Sequence, residues 1–257
     1  MKMPIINGPW PNVLFDYRGA HVLVTGGSNG IGAGVAAAYR DAGATVSITG
    51  TRAAAGEYEG DLSGYRYLQL DLADKDRIRA VAAAMPQLDI LINNAGCNFA
   101  AEDEYDPDVF EKSVQINLLA AYRMAHACRD KLARSALPGG ASIVGLASMT
   151  SYFAVDVVPA YGAAKAGVVQ LAKTLASAWA RDGIRVNAVA AGFIRSNMMA
   201  WMDHSPEAVA PVLARTPLKR VGNPHDIAGA VLFLTSAAAQ FVTGQTLPVD
   251  GGYSVVG

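Results

Sequence analysis

Four side chains near the middle of the chain have the types and spacing for proton transfer to a carbonyl or alcohol oxygen. Tyr161-Gly-Ala-Ala-Lys165 lies in a stretch of helical pattern. An i, i+4 pair shares one helix face, so the ammonium can sit beneath the phenol. A free tyrosine titrates near ~10 and is a poor base at neutral pH. A neighbouring ammonium stabilises phenolate and lowers that value. The pair alone is a weak signal, because Y-x-x-x-K arises by chance. Ser148 strengthens it: it lies thirteen residues before the tyrosine and closes a strand-like run that begins at Ala141. A hydroxyl there can hold a substrate carbonyl. Ser151 reads as a turn residue. Asn117 falls inside a helical stretch, where asparagine is a poor helix former. It is either a buried structural amide or the holder of a water bridged to Lys165, which would give the proton a route to solvent.

These groups need a scaffold that brings strand ends and a helix to one edge. β-branched runs at 21–25, 45–49, 67–70, 88–92, 141–146, 184–189 and 246–249 read as strands. Stretches 31–40, 75–84, 107–135, 160–180 and 225–236 read as helices, with Pro107 at the first turn of the longest. Continuous apolar strands with little alternation are buried on both faces, hence parallel. The expectation is an α/β doubly wound parallel sheet of about seven strands with right-handed crossovers. Residues 19–257 read as one domain and 1–18 as a short extension. The 51–65 segment reads as an abbreviated crossover, and 193–215 as an insertion that could act as a lid.

The first strand runs through Thr25-Gly-Gly-Ser-Asn-Gly-Ile-Gly32 into a helix. Gly26, Gly30 and Gly32 let the backbone approach a pyrophosphate at the helix N-terminus. Ser28 and Asn29 can add donors, and Ile31 lies within the same loop. A glycine turn alone is weak; its place between strand and helix makes this a dinucleotide site of the Rossmann type. A carboxylate closing the second strand would favour NAD(H). Here the run is Ile48-Thr-Gly-Thr-Arg52, without an acid. Thr51 and Arg52 can meet a 2′-phosphate, so NADP(H) is expected in preference to NAD(H); the bland reading leaves Arg52 as a solvated loop residue. Asp71 either accepts the adenine amino group or caps the next helix.

Composition narrows the rest. The net charge is −1, which argues against nucleic acid or an anionic membrane as partner. The longest apolar run, 227–234, is far short of the ~20 residues of a membrane span. Two cysteines, Cys97 and Cys128, make no disulfide framework, pointing to a reducing, cytoplasmic setting. Neither they nor the four histidines show metal-ligand spacing.

Taken in order, the motifs resemble the short-chain dehydrogenase/reductase family in its form of about 250 residues, and the 3-oxoacyl reductases in particular. They are Thr25–Gly32, Asp71-Leu72, Asn93-Asn-Ala-Gly96, Asn117, Ser148, Tyr161–Lys165, Asn187–Ser196 and Thr243–Gly252. The resemblance spans Phe15 to Gly252. It implies Tyr161 as acid/base, Lys165 as tuner and ribose ligand, Ser148 as substrate orienter and Asn117 as relay. It also implies cofactor contacts at Leu72, Asn94, Ala95, Gly96, Gly192, Ile194 and Ser196, and a hydroxyl contact at Thr51. A homotetramer joined through the two long helices is implied as well. Two positions depart from the family pattern: Ala191-Gly192 replaces the usual Pro-Gly, and Ser196 the usual Thr. Asn29 stands where many NADP-using members carry a basic residue.

The implied reaction is hydride transfer between a nicotinamide and a small ketone or secondary alcohol. Alternatives are a 3-oxoacyl-thioester reductase and a non-catalytic dinucleotide sensor or scaffold. Phe99, Met149, Phe153, Phe193, Met198, Met199, Trp201 and Met202 could line an apolar substrate pocket, or simply pack. This favours a neutral substrate with an apolar body, unless Arg195 holds a substrate carboxylate. Arg129, Lys131 and Arg134 form either a solvated face or a dock for an acidic carrier.

Overall fold

Alternation within each strand divides the core into two. In β1 (His21–Val24), Val22 and Val24 point to one face and Leu23 to the other; in β4 (Ile90–Asn93), Ile90 and Ile92 oppose Leu91. Both faces must therefore be covered by helices. The computed structural model describes residue 10, residues 13–196, residue 199 and residues 206–256. Met198, Trp201 and Met202 lie outside the described residues.

Among those residues, β1, β2 (Thr45–Gly50), β3 (Arg66–Gln69), β4, β5 (Ala141–Ser148), β6 (Ile184–Ala191) and β7 (Thr246–Val249) form one parallel sheet in the order β3-β2-β1-β4-β5-β6-β7. Helices α1 (Gly30–Asp41) and α7 (Pro224–Thr235) cover one face. On the other lie α2 (Lys75–Ala84), α4 (Ala120–Leu132) and α5 (Pro159–Trp179). Helix α3 (Pro107–Val114) packs on α5, and α6 (Pro206–Arg215) follows β6. The order reverses at β1, between β2 and β4, and that reversal opens a crevice at the carboxyl ends of the strands.

Three details go beyond the sequence expectations. The long helix is continuous but carries a π-turn at Gln115–Leu119 between α3 and α4. The Asn117 side-chain amide donates to the Ser113 carbonyl at 3.0 Å and the Cys97 carbonyl at 2.8 Å, holding the π-turn against the loop after β4. Tyr17, read as part of the extension, is 3% exposed and bonds Leu232 and Thr235 on α7. The segment after β6 contains a true helix, α6, despite Pro211 inside it.

Candidate active site

The loops after β1 through β6 surround one cavity of about 1120 Å³. One wall is the glycine turn entering α1. Asn29 precedes α1 in extended conformation, its side chain makes no capping bond, and the first turn carries no acid. The starts of α2, α3 and α7, by contrast, are capped by Asp74, Asp106 and Asn223. An uncapped helix start at a cavity wall keeps unpaired N–H groups and the positive end of the helix dipole for an anion. Glycine is required at 32, because a Cβ there would lie 2.2 Å from the Gly26 carbonyl oxygen. The turn is braced from β4. Asn94 Nδ2 donates to the Thr25 and Gly26 carbonyls at 2.9 and 3.2 Å, and the Thr25 hydroxyl accepts the Asn94 and Ala95 N–H groups. The Asn94 side chain thus shapes the loop, and the residue also lines the cavity.

At the far end, Thr51, Arg52, Asp71 and Leu72 line the cavity. Asp71 accepts the Ala73 N–H, while Asp74 caps α2, so the capping alternative for Asp71 is set aside. Sequence reading missed Tyr58. Its hydroxyl accepts the Arg52 N–H at 3.1 Å, and the Arg52 guanidinium carbon lies 4.7 Å from its ring centre. A Cβ on Gly50 would fall 2.2 Å from that hydroxyl and 3.0 Å from the Ser28 hydroxyl, so a side chain at 50 would require Tyr58 to move. Burial pushes the phenol of Tyr58 up, but its hydrogen bonds outweigh burial and leave its pKa lowered.

The third wall joins β5, β6 and α5. Ser148 ends β5 in register with Ala191, and Tyr161 and Lys165 lie on the first turns of α5, all three facing the cavity. Lys165 is buried, donates to the Leu146 carbonyl at 2.7 Å and has its ammonium 5.4 Å from the Tyr161 ring centre. Burial dominates both titrations. The Tyr161 phenol is pushed up to about 12 by desolvation, with the Ser148 hydroxyl pulling it back. The Lys165 ammonium is pushed down to about 8 by the same desolvation. The expected depression of the phenol is thus absent from the chain alone.

Asn117 stands behind this wall, not in it. A Cβ on Gly96 would meet Asn117 Oδ1 at 2.4 Å and Lys165 Nζ at 3.4 Å, so the two side chains flank Gly96. The Asn117 Oδ1 also accepts the Cys97 N–H at 3.1 Å, while the amide's N–H groups go to the Cys97 and Ser113 carbonyls. Gly192, Ile194 and Ser196 close the cavity after β6, with Phe193, Met199, Met149 and Phe153 beside them. Phe99 does not join them; its ring lies under the Lys112 ammonium, 4.2 Å away. Arg195 is likewise absent from the lining. The candidate carrier dock is largely spent: Arg129 pairs with Asp182 at 2.5 Å, and Lys131 donates to the Ala83 and Met85 carbonyls.

Sequence reading also missed Glu104, only 1% exposed in the loop before α3. It accepts the Phe99 and Tyr161 N–H groups at 2.8 and 2.9 Å. Within the acidic run 102–104, nothing distinguished it from its solvated neighbours.

A family model described as enoyl-(acyl carrier protein) reductase matches residues 26–254. The chain is 34% identical over 258 residues to the D-threitol dehydrogenase of Mycolicibacterium smegmatis, covering 95% of this chain and 97% of that one. It is 37% identical over 242 residues to the 3alpha-hydroxysteroid dehydrogenase of Mediterraneibacter gnavus, covering 89% and 94%. The crystal structure of a gluconate 5-dehydrogenase from Burkholderia cenocepacia in complex with NADP and tartrate superposes with a TM-score of 0.85. It is 30% identical and covers 95% of this chain and 98% of that one.

Proposed function

The chain belongs to the short-chain dehydrogenase/reductase family and is an NAD(P)-dependent oxidoreductase of CH–OH groups, and from that premise we propose how its own residues carry the reaction. The bound nicotinamide supplies hydride to a carbonyl carbon in reduction and accepts it from an alcohol in oxidation. The glycine turn and the uncapped start of α1 hold the pyrophosphate. Ala95 and Gly96, with Asn94 bracing the turn beside them, would hold the ribose, and Gly192, Ile194 and Ser196 would hold the nicotinamide. Ser148 donates to the substrate oxygen. Tyr161 gives that oxygen a proton in reduction and removes one in oxidation. Lys165 holds positive charge beneath the phenol, offsetting the burial that keeps it protonated.

The observation that carries this reading is the convergence of Ser148, Tyr161 and Lys165 on the same cavity as the uncapped start of α1. The finer proposal is preference for NADP(H), supported by Thr51 and Arg52 lining the cavity beside an end of β2 that carries glycine, not an acid, at 50. We further propose that residues 19–257 work as one catalytic unit and that it assembles as a homotetramer. Support for the assembly comes from Leu119 and Tyr122, exposed apolar side chains beside and on α4. The unpaired thiols Cys97 and Cys128 suit a reducing cytoplasm. Among the described residues no helix is long and apolar enough to cross a membrane.

The test is a panel of secondary alcohols with NADP⁺ and NAD⁺, followed by the absorbance of reduced nicotinamide, with Tyr161→Phe as control. Turnover lost in the variant is expected. Coenzyme binding with no turnover of any alcohol or ketone would instead favour a sensor or scaffold.

A further inference from the structure

The charges around the cavity are unevenly distributed. Its acidic lining residues, Glu59 and Asp71, belong to the loops after β2 and β3. At the opposite end, where β5 and β6 finish, the charged lining residues among those described are Lys165 and Arg215, both cations. Arg215 is the last residue of α6. Its guanidinium carbon lies 4.8 Å from the centre of the Phe153 ring and 4.5 Å from that of Tyr253. Phe193 extends this wall, 5.4 Å from Tyr253. Nη2 donates to the Val256 carbonyl at 3.2 Å. Nε is buried and has no partner, and no carboxylate among the described residues pairs with the group. The Thr150 hydroxyl, also lining the cavity, is a second buried polar atom without a partner.

Stacking on rings occupies the faces of a guanidinium and leaves its N–H edge for a planar oxyanion. A buried donor left unmade is costly, so an edge held in this way implies a partner that arrives with the ligand. We propose that Arg215 is a specificity-determining residue that binds a carboxylate on the substrate, which is therefore a hydroxy acid or keto acid with an apolar stretch against Phe153, Phe193 and Tyr253. This rests on the oxidoreductase reading above and adds the substrate's charge. It replaces the neutral substrate expected from sequence, and it moves the cationic contact from Arg195 to Arg215.

The experiment uses matched pairs: 3-hydroxybutyrate, 4-hydroxyvalerate, mandelate and gluconate, each with its primary amide. Binding to the complex of the full chain with NADPH is read from coenzyme fluorescence, and turnover with NADP⁺ is read separately. At least one acid is expected to bind about 10- to 100-fold more tightly than its amide, the range for a charged hydrogen bond. Arg215→Met should remove that preference by raising KM for the acid alone, and Arg215→Lys should keep part of it. A merely structural brace would lower the melting temperature and weaken both members of a pair alike. The proposal is overturned if amides bind as well as acids, if no acid binds, or if the preference survives in Arg215→Met. Acid preference without any turnover would overturn the reaction and leave the carboxylate site standing; turnover of acid and amide alike would do the reverse.

Discussion

The Glu104 carboxylate accepts the backbone N–H of Tyr161 at 2.9 Å, so a buried acid is fastened to the main chain of the proposed acid/base. Its other oxygen holds Phe99 in the loop after β4. Glu104 thereby ties the position of the first turn of α5 to that loop, while its charge pushes the Tyr161 phenol upward. In Glu104→Gln one of the two N–H groups would face an amide donor. The expected cost is about 1–3 kcal/mol of stability, from one buried bond lost. With the charge gone, the acidic limb of the alcohol-oxidation pH profile should move to lower pH. Chemical denaturation and the profile check both; an unchanged profile in a folded variant would remove Glu104 from the positioning of the phenol.

Tyr161→Phe keeps the ring and removes the proton. General acid–base catalysis contributes roughly 10²- to 10⁴-fold, so turnover should fall by about that factor. The glycine turn and the start of α1 are untouched, and NADPH affinity by fluorescence titration should change by less than about threefold, within ordinary additivity error. Retained turnover would move the proton chemistry elsewhere.

What the sequence disclosed and what it concealed divide along the range of the interactions. The strands were readable because Val22, Leu23 and Val24 must all be buried, and the glycine turn because Gly32 has no room for a side chain. Ser148, Tyr161 and Lys165 were readable through spacing along one strand end and one helix. The π-turn at Asn117 was not, because it depends on bonds to Cys97, twenty residues away in the chain. Glu104 and Arg215 look like any solvated charge until tertiary packing buries the carboxylate of one and the Nε of the other. Phe99 was read as a pocket residue on its type alone, and Lys112 claims its ring.

Coenzyme choice should follow the Arg52–Tyr58 pair. If the guanidinium, stacked 4.7 Å from the Tyr58 ring centre, meets a 2′-phosphate, Arg52→Ala raises KM for NADP⁺ by about 10- to 100-fold and leaves KM for NAD⁺ nearly unchanged. Tyr58→Phe removes the acceptor of the Arg52 N–H but keeps the ring, so a smaller rise in the same direction is expected. Steady-state kinetics with both coenzymes decide the matter; a lower KM for NAD⁺ in the unaltered protein would reverse the assignment.

Lys165 should leave a signature in stability against pH. Its pKa is about 8 in the folded chain against 10.5 ordinarily, because burial disfavours the ammonium. Between those values the unfolded chain binds more protons than the folded one, so stability must rise with pH across that window. Two pKa units, from about pH 8 to about pH 10, correspond to roughly 2–3 kcal/mol. The Tyr161 phenol works in the opposite sense, since its folded value of about 12 lies above the ordinary 10 and its contribution is lost only as pH rises past 10. Measured in a Tyr161→Phe background, the phenol drops out. The difference in unfolding free energy between Lys165 and Lys165→Met should then grow in favour of the lysine from pH 7 to pH 10. A flat difference would mean that the lysine keeps an ordinary pKa, and with it that the ammonium beneath the phenol is well solvated.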